Sequence, residues 1–441
     1  MSTLELLIAF SIFTLIIGGA AIISFGNQAV ALDTSLANQA IYQARTSLEN
    51  FKTTLTTNNW DETSLPAEIS VADISNCVKN ITSSIKWQTT PLRPQTTDLF
   101  TALTNPVEAI NLGGDCILDA PFGDWRNLNI STSLGIVPST NPASDIDTVE
   151  QTTYLTVNPS AASDADFFII KDGKTISSLD TGPGLNALDA TARFAYVANG
   201  SRNAQLQIID ISDDSAPTVK KSYKLPGTYT DATIGNSIFY YRSRVYLGTN
   251  KSQLGEFHII DVANPSSPSE LGSWEVGAGV NAIYVKGNYA YLATPNDEEL
   301  TVLDISDPSA IKRVGGFNAP KGSGNGKSVK VVGNKLYLGR TVGSNEFYIL
   351  DISDPTNPQE LGFYNLNSSI NDLVVAGNYA FLATSQVGGE LQVLDLTDPA
   401  KPNKIGQYDY SNKASGIDFA NNQLYLSNKS GDALKIISPN L

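Results

Sequence analysis

Residues 300–311 read LTVLDISDPSAI. The first five form a short apolar run bounded by turn residues, the pattern of a strand. Asp304 can accept backbone N–H bonds in the turn that follows, and Pro308 stops the ladder from continuing. The stretch recurs as FYILDISDPTNP at 347–358 and LQVLDLTDPAKP at 391–402. Looser copies are FFIIKD (167–172), LQIIDIS (206–212), FHIIDVA (257–263) and LKIIS (434–438). Five of the seven runs end in an aspartate that opens a turn: Asp210, Asp261, Asp304, Asp351 and Asp395.

Ahead of each run lies an aromatic residue that starts a second strand: Tyr154, Tyr196, Tyr246, Tyr291, Tyr337, Phe381 and Tyr425, at intervals of 42 to 50 residues. Eight positions before each of these stands an aliphatic residue, from Ile146 and Leu188 to Leu373 and Ile417. A further run follows each turn, such as ELGSWEVG at 270–277. Four short strands per unit of about 44 residues is the period of a β-propeller blade, so residues 144–441 are expected to form an all-β seven-bladed propeller. The last unit ends at Leu441 without an evident outer strand.

The motif resembles the LVIVD-repeat propellers, in which LxVLDISDPxxP marks each blade. The resemblance covers about two thirds of the chain, and the first and last units depart from it with Lys171 and Ser438 in place of the aspartate. It implies a surface or secreted propeller and names no ligand. Propellers usually bind at the central channel, which Asn186, Asn236, Asn281 and Asn371, near the start of the first strands, are expected to line.

The N-terminus poses a different problem. Glu5 stands alone against a run, Leu6 to Leu32, that holds no charged residue. Residues 6–25 are long enough to cross a bilayer as a helix. Ile41, Ala44, Leu48, Phe51 and Leu55 then follow at spacings of three and four, an apolar stripe on a continuing amphipathic helix. This start, MSTLELLIAFSIFTLIIGG, resembles that of a mature type IV pilin or pseudopilin. The resemblance implies an N-methylated Met1, with Glu5 pairing in the filament with the Met1 amine of a neighbouring copy. A carboxylate in an apolar filament core is costly unless paired, which would set the register between subunits. Pilins often carry a proline near position 22, where this chain has Ile22. A plain transmembrane anchor and a cleavable signal are the competing readings.

Four segments are therefore expected. A long N-terminal α-helix occupies 1–57 and a small α+β pilin head 58–128. A linker spans 129–143, and the propeller fills 144–441. Cys77 and Cys116 are the only cysteines, and in an exported chain one disulfide between them is the simple reading; in the cytosol they would be free thiols. The expected partners are copies of the chain in a helical filament, the inner membrane before assembly, the pilus assembly machinery and a surface ligand of the propeller. The expected location is an extracellular filament.

A net charge of −15 argues against nucleic acid as a partner. The single histidine, His258, lies in a strand run, so acid–base catalysis has little to draw on. No catalytic residue, metal or cofactor is expected. GSGNGKS at 322–328 lacks the glycine spacing of a phosphate loop. The acids of SDIDTVE (144–150) read as solvated strand residues rather than a calcium loop. Asn-x-Ser/Thr triplets at Asn80, Asn129, Asn199, Asn250, Asn367 and Asn428 arise readily in so Asn- and Ser-rich a chain.

Overall fold

A computed structural model describes residues 34–53, 66–75, 78–88, 94–105, 123–133, 142–158, 163–227, 233–295, 298–320, 324–409, 412–428 and 434–440. Met1, Glu5, Cys77 and Cys116 lie outside the described residues, as does most of the expected helix 1–57. Among the described residues no helix is long and apolar enough to cross a membrane. The chain divides into two units.

In the first unit a helix spans 34–53, and the strands Ile69–Ser75, Val78–Gln88 and Pro94–Thr104 form one sheet in that order. Leu48 and Phe51 of the helix close on Ile69, Ile81 and Leu103 of the sheet. The buried line of the helix is Ala40, Ala44, Leu48 and Phe51, whereas Ile41 is 44% exposed. The stripe thus begins one residue earlier than the sequence reading placed it, because positions 40, 44, 48 and 51 share a face at helical spacing.

The second unit contains seven four-stranded sheets among the described residues. Blade 1 runs from Ala143 to Leu179, blade 2 from Leu185 to Tyr223 and blade 3 from Gly235 to Trp274. Blade 4 runs from Ala282 to Phe317, blade 5 from Gly326 to Tyr364 and blade 6 from Ile370 to Tyr408. In these six the strands pair antiparallel in chain order. The third strands, such as Phe257–Asp261 and Leu391–Asp395, are buried along almost their whole length. Both faces of each are covered by a neighbouring sheet, which is why they read as unbroken apolar runs.

Blade 7 differs. Ala414–Ala420, Gln423–Asn428 and Leu434–Asn440 supply three strands, and Asp124–Ser133 pairs with Leu434–Asn440 as the fourth. The outer strand that the last repeat lacks therefore comes from the segment ahead of blade 1. This strand crosses the boundary drawn at 128/129, so residues 129–133 are strand rather than linker, and 124–128 belong with the propeller sheet rather than with the head. Trp125 is its anchor. It is 1% exposed and sits among Phe381, Val393, Phe419 and Ile437 of blades 6 and 7.

Among the described residues seven apolar clusters join each blade to the next, and one of them, with Ile146, Leu155, Tyr425 and Leu434, joins blade 7 back to blade 1. The ring is closed by packing as well as by the strand at Asp124–Ser133.

Candidate functional site

The first strand of each blade is an edge strand, so its outward backbone N–H and C=O groups have no ladder partner. Side chains from the preceding blade supply partners. Asn186 donates to Gly235 O, Asn236 to Val280 O, Asn281 to Gly326 O and Asn371 to Ala414 O, each at 2.7 Å. Ser144 makes the same bond to Leu185 O at 2.6 Å. In blades 1, 3, 5 and 6 the register shifts across this position, the signature of a β-bulge. Such bulges bend a strand and re-aim a side chain. The four asparagines expected at the channel do line it, and they also stitch blade to blade.

Aspartates serve the N–H groups. Asp145 Oδ2 accepts from Leu188 N at 2.9 Å, and Asp147 Oδ2 accepts from Ala190 N at 2.6 Å. Asp189 Oδ2 accepts from Tyr240 N at 2.8 Å, and Asp372 Oδ2 accepts from Ile417 N at 3.0 Å. The acids Asp145 and Asp147 of SDIDTVE are thus on the first strand of blade 1, but they are half-buried interblade staples rather than freely solvated side chains.

These residues surround a central cavity of about 480 Å³ bounded by all seven blades. Its wall is uneven. Asp145, Asp147, Asp189, Asp372 and Asp418 occupy the arc of blades 6, 7, 1 and 2, whereas Phe239, Tyr284, Lys327 and Lys330 occupy blades 3 to 5. Phe239 and Tyr284 lie 4.7 Å apart between ring centroids, and Lys330 Nζ stands 5.7 Å from the centre of the Tyr284 ring. Burial and the nearby Asp372 push the Asp145 carboxyl well above the usual carboxylate range. Burial raises Asp372 to about 6 against the pull of its backbone donors and of Lys330. Burial raises Asp418 as well, again opposed by Lys330. Among the described residues no group of three or more His, Cys, Asp or Glu is placed to hold a metal ion.

The blade-turn aspartates lie elsewhere, each the half-buried last residue of a third strand, where the following turn opens. Asp210, Asp261, Asp304, Asp351 and Asp395 each accept the backbone N–H two residues on, at 2.8 to 3.2 Å. Hydroxyls of Ser212, Ser306 and Ser353 lead in holding Asp210, Asp304 and Asp351 below the usual carboxylate range. His258 is buried on its strand, with Nδ1 2.7 Å from Glu270 Oε1 and Nε2 3.2 Å from Gly255 O. Lys327 and Ser328 stand on the first strand of blade 5. Of the Asn-x-Ser/Thr triplets, Asn199 and Asn428 are buried.

A second acid position was not anticipated. Asp166, Glu256, Glu299, Glu346 and Glu390 each immediately precede a third strand and are buried. Asp166 accepts from Thr181 N, Glu256 from Val276 N and Gly277 N, Glu299 from Ala319 N, and Glu346 from Leu366 N and Asn367 N. These four carboxylates thereby pin the segments leaving their own outer strands, whereas Glu390 accepts from Gly388 N just ahead of its strand. Glu299 also bonds Arg340 of blade 5, and both are fully buried. The signal was available in the sequence, since Glu256, Glu299, Glu346 and Glu390 recur at the blade period ahead of an apolar run.

The LVIVD repeat pattern matches residues 191–225, 252–276, 279–319, 323–366 and 369–410. The chain therefore carries LVIVD repeats, in blades 2 to 6. No curated protein matches the sequence. Among solved structures, a protein from Lactobacillus plantarum is similar at 12% identity and TM-score 0.51, over 62% of this chain and 87% of that one. A chain of the mitotic checkpoint complex is similar at 12% identity and TM-score 0.50, over 73% of this chain and 96% of that one. The extracellular domain of a hybrid two component system from B. thetaiotaomicron is similar at 12% identity and TM-score 0.50, over 72% of this chain and 40% of that one. At such identity the likeness concerns the fold alone.

Proposed function

We propose that this chain is a structural subunit of an extracellular type IV pilus-like filament, polymerising through its N-terminal helix and displaying the propeller on the filament surface for adhesion. The observation that carries the reading is the placement of Glu5 ahead of the uncharged run Leu6 to Leu32. The helix at 34–53, packed along one apolar line on a three-stranded sheet, supports it as a head built on the continuation of that segment. In this reading the chain rests in the inner membrane before assembly, Met1 is N-methylated, and Cys77 and Cys116 form the one disulfide. Its partners are the assembly machinery and further copies of itself, with no cofactor, nucleic acid or catalytic role.

The register between copies is set by Glu5 and the neighbouring Met1 amine. Removing one partner of such a pair leaves an uncompensated buried charge, a loss of about 3–5 kcal/mol. Glu5→Ala is therefore expected to abolish filaments in cells while the propeller remains folded by circular dichroism. Normal filaments from that variant would overturn the reading.

A second reading, a low-copy tip pilin or pseudopilin whose propeller is an adhesin, is favoured by the walled central cavity, which suits a binding module. Subunit abundance separates the two. A major subunit dominates sheared surface fibres, and a tip subunit appears in traces.

A further inference from the structure

We propose that the central cavity is a binding site for a small organic cation carrying a primary ammonium group, held between the Asp145, Asp372 and Asp418 carboxylates and the Tyr284 ring. The inference rests on reading the propeller as a binding module, and it holds for either a shaft or a tip subunit.

Charge comes first. Among the described residues five aspartates and two lysines line the cavity, so fully ionised they bring 5 − 2 = 3 net negative charges to its wall. Interblade stapling explains why an acceptor stands at each position. It does not explain the surplus of charge, since an amide oxygen would accept the same N–H bond.

Asp418 is the clearest case. Phe419 and Thr148 donate to its carboxyl, yet its Oδ2 is buried with no hydrogen-bond partner. A buried acceptor left without a donor is costly, and it is met at sites completed by a ligand. An ammonium group brings three donors and a positive charge, the complement of three carboxylates on the consecutive blades 6, 7 and 1.

The chain also shows where such a group fits. Lys330 Nζ lies over the Tyr284 ring, and its charge favours the ionised forms of Asp372 and Asp418. One tethered ammonium is thus already accommodated between the aromatic and acidic arcs. A single lysine does not balance the acids that face it, and the cavity has room for a further small molecule. An aromatic face beside desolvated carboxylates is the environment that organic cations prefer.

The test is calorimetric titration of the full-length chain at low salt with putrescine, butanediol and calcium chloride as probes. Putrescine is expected to bind saturably, one per chain, with no comparable binding of butanediol or calcium. Asp418→Asn and, separately, Asp372→Asn keep an amide acceptor for the neighbouring blade and are expected to weaken putrescine about tenfold or more. Lys330→Met removes the internal competitor and is expected to tighten it. Equal binding of the diol, preference for calcium, or unchanged affinity in both Asn variants would each overturn the assignment. A chain that forms filaments but does not bind putrescine refutes this site and leaves the filament reading standing. Binding without filaments does the reverse.

Discussion

Trp125 and Phe381 pack edge to face with ring centroids 4.7 Å apart, although one belongs to the segment ahead of blade 1 and the other to blade 6. The contact fixes the strand Asp124–Ser133 of blade 7 against blade 6, and Tyr408 Oη of blade 6 adds a hydrogen bond to Arg126 O at 2.7 Å. Trp125→Ala should cost about 3–5 kcal/mol, the usual loss for a large aromatic removed from a core. Chemical denaturation should register it as a lower midpoint. A loss under about 1 kcal/mol, the size of a surface substitution, would mean that the ring does not depend on this strand.

Gly362, on the outer strand of blade 5, marks where the next blade's turn docks. A Cβ added there would stand 2.2 Å from Pro399 O. Gly362→Ala is therefore expected to destabilise by about 1–3 kcal/mol through overpacking. Gly277→Ala makes a contrasting control, because its Cβ meets nothing within 4 Å and its cost is backbone strain alone at φ +79°. A smaller loss at Gly362 than at Gly277 would refute the docking account.

Arg340 and Glu299 are a fully buried ion pair between blades 4 and 5. Arg340 also donates to Asn345 O at 2.5 Å and lies over the Tyr348 ring. Arg340→Met alone should be strongly destabilising, about 3–5 kcal/mol, because it leaves Glu299 buried without its cation. The double variant Arg340→Met/Glu299→Gln should recover a large part of that loss in thermal melts. Strict additivity of the two single changes would show that the pair is uncoupled.

Asp166 gives the fold a pH dependence of definite sign. Burial raises its carboxyl to about 6, against the opposing pull of Thr181 Oγ1 and N, each at 2.8 Å. The folded value lies above the unfolded one of about 3.9, so the folded state binds the extra proton between them. This stability is fully present below pH ~4 and is lost as the pH rises through about 6. Melting temperature should therefore fall less between pH 5 and 7.5 in Asp166→Asn than in the parent, pH values chosen to bracket that transition. An identical fall in both would exclude Asp166 as a source of the slope.

The blade pattern was legible because it is local and repeated. In LTVLDISDPSAI the strand, the turn-opening Asp304 and the stopping Pro308 all act within a dozen residues. The outer strand of blade 7 was not legible, since DWRNLNISTS acquires its role only by pairing with Leu434–Asn440 at the far end of the chain. Asn186 and its counterparts could be placed at the channel from their position at the start of the first strands. Their second task, bonding the next blade's carbonyls, depends on how blades face one another. Asp145 and Asp147 show the same limit. Their acidity suggested exposure, while their function comes from an edge strand that the sequence does not mark as unpaired. Ile41 fell outside the buried line because three- and four-residue spacings fit two adjacent helical stripes until a partner sheet selects one.

The filament account is tested most directly by electron microscopy of filaments sheared from cells producing the full-length chain. A propeller of about 300 residues forms a lobe roughly 50 Å across, too large to lie within a core of packed helices. The account predicts such lobes along the whole shaft, one for every subunit. Smooth shafts, with this chain absent from them or confined to their ends, would contradict it.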